Sequence, residues 1–213
     1  MFCGVDEAGR GSVMGPLVVG AVFVEDDSPL VSMGVRDSKR LSPRRREALY
    51  EEISSAAPDW CTVIVSAEEI DLLRNRRSLN EIEMDMFEEA ASKVPVLRVY
   101  ADCPDVNETS FSNSLSVRLK NTAVVARHRA DDTFPVVSAA SIIAKVTRDR
   151  MIRDISEEFG TEIGSGYPSD TCTMGFIEKW IKDNGSPPKH TRCSWEPVRH
   201  MMSLNSNTKL TDW

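Results

Sequence analysis

Four acidic residues carry the chemistry this chain suggests: Asp6, Glu7, Asp102 and Asp131. Each of the three aspartates stands at or just past the end of a run that reads as a β-strand, where reactive groups of open α/β sheets gather. A lone Asp at such a place ordinarily caps a helix or forms a turn; the set, with its surroundings, points elsewhere. Carboxylates that converge raise one another's pKa and need a cation to stay ionised together. Hard oxygen ligands without His or Cys beside them suit Mg²⁺ or Mn²⁺.

Asp6 and Glu7 are adjacent, and neighbours on a strand face opposite ways. The stretch that follows, Gly9-Arg10-Gly11, offers a solution: a strand ending at Asp6 and a glycine turn that frees Glu7 from the pleat, with Gly9 and Gly11 at positive φ. Bare backbone N–H groups there, and Arg10, suit contact with a phosphate or sugar. The spacing is neither GxGxxG nor GxxxxGK[ST], and a plain hairpin loop with a solvated Arg is the simpler alternative.

The elements that must position these residues are legible from pattern. FCGVD, PLVVGAVFVE and WCTVIVS predict three strands; VLRVYAD, ending on Asp102, and TAVVARH predict two more. Ser42 followed by Pro43 predicts a helix start. Ser78 with Glu81 predicts a capping box, ahead of Leu79, Ile82, Met86 and Ala90 at helical spacing. SFSNSLSVRLK predicts a further helix. A long helix is expected from about Pro135 to Phe159, stopped by Gly160. Helices and loops follow, with a last short helix near 195–204. The class is α/β, a mixed sheet with a helical C-terminal portion. We expect a core over 1–160, a helical subdomain over 161–205 and a mobile tail over 206–213.

The chain has 213 residues, 41% hydrophobic and 28% charged, enough for a packed core. No apolar run is long enough to span a bilayer, and the N-terminus shows no leader pattern, so a cytoplasmic address is expected; nothing in the sequence demands more than a monomer. Five scattered cysteines form no CxxC pair, which argues against a zinc knuckle or a disulfide framework. The net charge of −7 argues against polyanion binding by the whole surface, though not against a local basic groove. Arg44 to Arg46, Arg74 to Arg77, Arg127 with Arg129, and Lys189 to Arg192 offer positive charge for such a groove, or solvated faces. His128 and His190 read as structural.

GVDEAGRGSVMGPLVVGAV resembles the signature of type 2 ribonuclease H (ribonuclease HII), and the resemblance continues in order through DSKRLS, LNEIE, VYADCPDVN, HRADDTFPVVSAASIIAKVTRDR, GSGYPSD and RCSW, over about residues 2–200. The archaeal-like single-chain form is the most similar in pattern. The resemblance implies a ribonuclease H-like five-stranded mixed sheet flanked by helices, with a helical C-terminal subdomain. It implies endonucleolytic cleavage of RNA in RNA–DNA hybrids, and of duplex DNA on the 5′ side of embedded ribonucleotides, leaving 5′-phosphate and 3′-hydroxyl ends. Asp6, Glu7, Asp102 and Asp131 would hold the two divalent ions, Mg²⁺ or Mn²⁺. Gly9, Arg10 and Gly11 would touch the ribonucleotide and its 2′-hydroxyl. Tyr167 would pack on the adjoining deoxyribose, and Lys39, Ser141 and Lys145 would contact phosphates.

Two departures stand out. Ser12 occupies a position where the family usually has Pro, which would loosen the loop. ARHRAD ends on the motif aspartate, Asp131, where the family more often has an acidic residue before His and a Lys after it, and the neighbouring Asp132 is the alternative ligand should that loop slip. The tail residues Asn207, Leu210 and Trp213 partly resemble a sliding-clamp-binding peptide. The competing functional classes are a non-catalytic hybrid-binding module and a DNA-directed nuclease of the same superfamily fold.

Overall fold

A computed structural model describes residues 1–35, 41–120 and 122–208, with side chains described to Asn205. Lys39, Leu210, Trp213 and the Asn207 side chain lie outside the described residues. Among the described residues no helix is long and apolar enough to cross a membrane.

Five strands form one mixed sheet: β1 (Phe2–Ala8), β2 (Leu17–Val24), β3 (Asp59–Val65), β4 (Arg98–Asp102) and β5 (Ala123–Arg127), in the order β3-β2-β1-β4-β5. β1 runs antiparallel to β2 and parallel to β4, and β4 runs parallel to β5. All five expected strands are present. Eight α-helices complete the described chain: α1 (Ser28–Met33), α2 (Pro43–Ala56), α3 (Ala67–Arg74), α4 (Leu79–Ala91), α5 (Glu108–Arg118), α6 (Pro135–Phe159), α7 (Thr171–Asn184) and α8 (Glu196–Thr208). Ser42 caps α2 through the Arg45 N–H with Pro43 at its first turn, and Ser78 with Glu81 closes the expected box on α4.

The chain divides into two compact units. The first holds Met1–Ala8, Val18–Ile64 and Ser78–Thr147; the second holds Gly9–Leu17, Val65–Arg77 and Arg148–Trp213. The segment 161–205 therefore falls within a unit that also takes in the Gly-rich loop, α3 and the second half of α6. α8 continues through Thr208, past the expected end near 204.

In the first unit α6 lies against the middle of the sheet at very close range. A Cβ placed on Gly4 of β1 would collide with the Val136 carbonyl, and one on Gly20 of β2 would lie 2.6 Å from the Ala140 oxygen. Only glycine permits that approach. Val22, Val24, Leu30, Leu49, Ile53, Val136, Ala140 and Ile143 fill the resulting core, with Tyr100 and Phe134 packed at its side. The second unit has its own core: Val13, Met14, Ile152, Ile155, Ile163, Ile177, Ile181 and Val198. The Gly-rich loop is thus built into that core through Val13 and Met14, both fully buried.

Candidate active site

The acids of the first unit meet at the end of the two central strands. Period-2 alternation puts Gly4 and Asp6 on one face of β1, and Gly20 is paired directly with Asp6. That is the face α6 covers, so Asp6 is buried at 4% exposure and accepts a hydrogen bond from the Ser141 hydroxyl of α6. Asp102 ends β4, one residue past the last β1–β4 pair, Val5↔Ala101. The carboxylate oxygens of Asp6, Glu7 and Asp102 include a set lying within 4.8 Å of one another. Among the described residues this is the one group of three or more acidic, His or Cys side chains so arranged.

How the adjacent Asp6 and Glu7 meet differs from the sequence expectation. β1 does not stop at Asp6; it stays paired with β2 through Glu7↔Val19 and Ala8↔Val18. The opening is on the other edge, where pairing with β4 ends at Val5. There the Glu7 N–H donates to Asp6 Oδ1 at 2.7 Å instead of to a neighbouring strand. Glu7 thus reaches the cluster around an open sheet edge, and no glycine turn is needed to release it.

Asp131 arrives by a separate device. After β5, Arg129 takes a left-handed conformation at φ 57° and starts a single 3-10 turn over Ala130–Asp132. Asp102 Oδ1 accepts from the Ala130 N–H at 2.8 Å, so one acid fixes the backbone that carries the next. Asp131 is 3% exposed, and its charge acts on Asp6. Asp132 faces outward and pairs with Arg129 at 3.1 Å, which separates the two candidates. Burial is the largest influence on Asp6, followed by the charges of Glu7 and Asp102. Together with Asp131 they hold its carboxyl well above the usual range, against the Ser141 hydrogen bond. A buried acid so disfavoured as an anion, with all-oxygen neighbours, is a donor set that fits a hard divalent cation.

Ser141 and Lys145 sit one turn apart on α6, both partly exposed. The Ser141 hydroxyl is hydrogen-bonded to Asp6.

In the second unit Gly9 takes φ +93° and its N–H donates to the Tyr167 hydroxyl at 3.1 Å. The Arg148 guanidinium stacks over the Tyr167 ring, 4.6 Å from its centroid. Gly11 differs from expectation: its φ is not positive, and a Cβ there would meet nothing within 4 Å. Ser12 closes the loop. Its hydroxyl donates to the Gly9 carbonyl at 2.8 Å and its N–H to the same oxygen at 3.3 Å. Where proline would fix φ covalently, serine fixes the turn with two hydrogen bonds, one from an N–H that proline lacks.

Several basic candidates are engaged elsewhere. Arg45 pairs with Glu52 and Arg127 with Glu108. Arg192 is fully buried and is no part of a surface groove. His128 donates from Nε2 to the Asp105 carbonyl at 2.7 Å, and His190 Nε2 lies 2.9 Å from Glu158, both structural positions. The sequence reading passed over the buried roles of Arg148 and Arg192, and over α3, whose Ser66–Glu69 capping box was visible in SAEE.

A family model described as Ribonuclease HII matches residues 3–198. A ribonuclease HII of Methanospirillum hungatei JF-1 is 44% identical over 214 residues, covering all of both chains. The crystal structure of the ribonuclease H2 from Pyrococcus horikoshii OT3 superposes with a TM-score of 0.90 at 39% identity, covering 96% of this chain and 98% of that one. The ribonuclease HII in a PCNA complex from Archaeoglobus fulgidus gives 0.89 at 40% identity, covering 94% and 96%. A mixed sheet that brings Asp6, Glu7 and Asp102 together beside the end of β4, matched along nearly its whole length, leaves one assignment: the chain belongs to the ribonuclease HII family of metal-dependent endonucleases.

Proposed function

We propose that this chain hydrolyses the RNA strand of RNA–DNA hybrids and cuts duplex DNA on the 5′ side of embedded ribonucleotides, leaving 5′-phosphate and 3′-hydroxyl ends. The observation that carries this reading is the convergence of Asp6, Glu7 and Asp102, with Asp131 close enough to act on Asp6. Asp6, Glu7, Asp102 and Asp131 would hold two divalent cations, Mg²⁺ or Mn²⁺. When bound, such ions supply Lewis-acid charge relief and a nucleophilic water at neutral pH.

The chain's own groups do the rest. Ser141 holds the Asp6 carboxylate in one orientation, and Asp102 fixes the turn that carries Asp131. Gly9, Arg10 and Gly11 contact the ribonucleotide, with the 2′-hydroxyl as the handle that separates RNA from DNA. Tyr167 packs on the adjoining deoxyribose. Ser141 and Lys145, with Lys39 outside the described residues, meet phosphates, which position the duplex without reading its sequence.

The test is cleavage with Mg²⁺ of three duplexes: all DNA, RNA–DNA hybrid, and DNA with one ribonucleotide. The hybrid and the single-ribonucleotide duplex should be cut, and chelation should stop both. Cutting of the all-DNA duplex would refute the reading in favour of a DNA-directed nuclease; hybrid binding with no cutting of any duplex would favour the non-catalytic module.

We further propose that Asn207, Leu210 and Trp213 engage a sliding clamp. The support is their spacing and the relative solved in complex with PCNA. Deleting the last eight residues should abolish recovery of the chain on immobilised clamp while leaving hydrolysis of a short hybrid unchanged. Equal recovery from the truncated protein would sink the idea.

A further inference from the structure

The second unit buries two arginines, Arg148 at 1% and Arg192 at 0% exposure. Both direct their donors at main-chain carbonyls of the loop and of its partner segment. Arg192 donates from Nη1 to the Arg10 carbonyl at 3.0 Å, and from Nε and Nη2 to the Gly15 carbonyl at 3.1 and 3.0 Å. One planar fork thereby grips both ends of the segment that contains Gly11. The Arg192 N–H also donates to the Val13 carbonyl at 2.8 Å, and the Gly15 N–H donates to the His190 carbonyl at 2.8 Å. Arg148 donates from Nη2 to the Met14 and Ser165 carbonyls and stacks on Tyr167, whose hydroxyl accepts from Gly9.

The fork is itself anchored. Its guanidinium lies 5.0 Å from the Trp195 ring centroid. Asp71 of α3 accepts from the Cys193 N–H at 2.6 Å, and from the Ser194 N–H and hydroxyl at 3.0 and 2.6 Å. Burial, with the Arg148 charge nearby, pulls the Arg192 guanidinium down to about 9, so it remains a cation at neutral pH.

Burying guanidinium groups is costly, and apolar side chains of similar volume often hold a core as well or better. What an apolar chain lacks is a rigid, bidentate fork for two carbonyls. We propose that Arg192 and Arg148 are positioning residues that set the enzyme's discrimination for the 2′-hydroxyl, by locking Gly9–Gly11 and Tyr167 in one geometry. The proposal rests on the ribonucleotide-selective reading of that loop.

The test compares Arg192→Met, Arg192→Lys and Arg148→Met with the wild-type chain. Three quantities are measured: the melting midpoint, Mn²⁺ affinity by titration, and kcat/KM on a DNA duplex carrying one ribonucleotide or one 2′-fluoro-2′-deoxyribonucleotide at the same site. The midpoint should fall by several degrees, because buried carbonyls lose their donors, with the variants still folded at the assay temperature; Mn²⁺ affinity should stay within about twofold, since the acids belong to the first unit. The ratio of kcat/KM between the two duplexes should fall about tenfold or more, because neither replacement spans two carbonyls. A purely structural arginine would lose stability and leave that ratio alone.

A folded variant with the wild-type ratio would overturn the proposal. Should the arginine variants fail to fold, Asp71→Ala loosens the same segment from outside, and an undiminished ratio there overturns the proposal equally. A wild-type chain with no preference for the ribonucleotide would remove the selective reading itself, and this inference with it; preference in wild type kept in full by the variants removes the inference alone.

Discussion

Replacing Asp6 by asparagine should lower hydrolysis of an RNA–DNA hybrid by at least about a thousandfold, on the order of 4 kcal/mol of transition-state stabilisation. Asparagine keeps the size of the side chain and one carbonyl oxygen for the Glu7 N–H or the Ser141 hydroxyl, so the fold survives. What disappears is the buried negative charge nearest its acidic neighbours. The same variant changes metal-free stability in a direction fixed by linkage. The folded-state pKa of Asp6 is raised above its ordinary value of 3.8. Below that value both folded and unfolded chains hold the proton. As pH rises above it, the unfolded chain ionises while the folded one resists, so Asp6 destabilises the metal-free fold progressively until its raised pKa is passed. Urea unfolding in chelator, from pH 4 to 8, should therefore show the wild type losing stability with pH relative to Asp6→Asn. Added Mn²⁺ should stabilise the wild type, more so at the higher pH, and the variant much less. Parallel pH profiles, or retained turnover, would remove Asp6 from the centre.

The second large effect separates two glycines that look equivalent in Gly9-Arg10-Gly11. At Gly9, alanine would have to adopt φ +93° with its Cβ 2.5 Å from the Pro16 carbonyl and from Arg148 Nε. Backbone strain and overpacking together should cost about 2–4 kcal/mol, and the displaced loop should cost cleavage about a hundredfold. At Gly11 alanine meets no protein atom and needs no unusual backbone. Stability should change by less than about 0.5 kcal/mol. Yet kcat/KM on a single-ribonucleotide duplex should fall roughly tenfold, because on the proposed reading the added methyl takes the space a sugar and its hydroxyl would enter. Melting curves and cleavage assays on the two variants decide the matter. A Gly11→Ala enzyme that cuts like the wild type would take that residue out of substrate contact.

Much of this architecture was legible locally. The bounds of α6, Pro135–Phe159, follow from helical spacing between Pro135 and Gly160. Ser42 and Ser78 announced their helices by short-range capping patterns. Asp102 at a strand end followed from an apolar run closing on an acid. The misses have non-local causes. Whether β1 stops at Asp6 or runs to Ala8 is decided by β2, whose partner residues lie beyond the loop, and by where β4 ends. Gly11 was grouped with Gly9 by type, but only packing tells that one needs positive φ and the other does not. Arg192 sits in a run with Lys189 that reads as a charged surface. Its burial is set by carbonyls at Arg10 and Gly15, almost the whole chain away. α3 is short and half charged, and its capping box was the signal that would have found it.

β1 is the middle strand of five, flanked by β2 and β4 and pressed against α6 through Gly4. To release Asp6, the chain must strip β2 from β1 and lift a helix, opening the middle of the sheet. Backbone amides around Asp6 should accordingly be among the slowest in the protein to exchange with solvent deuterium. The mutually repelling acids are thus lodged in the last part of the fold to open. On the proposed reading, a chelated enzyme should keep these acids in register, and reloading with metal should be limited by entry of the ion, with no rearrangement of the chain to wait for.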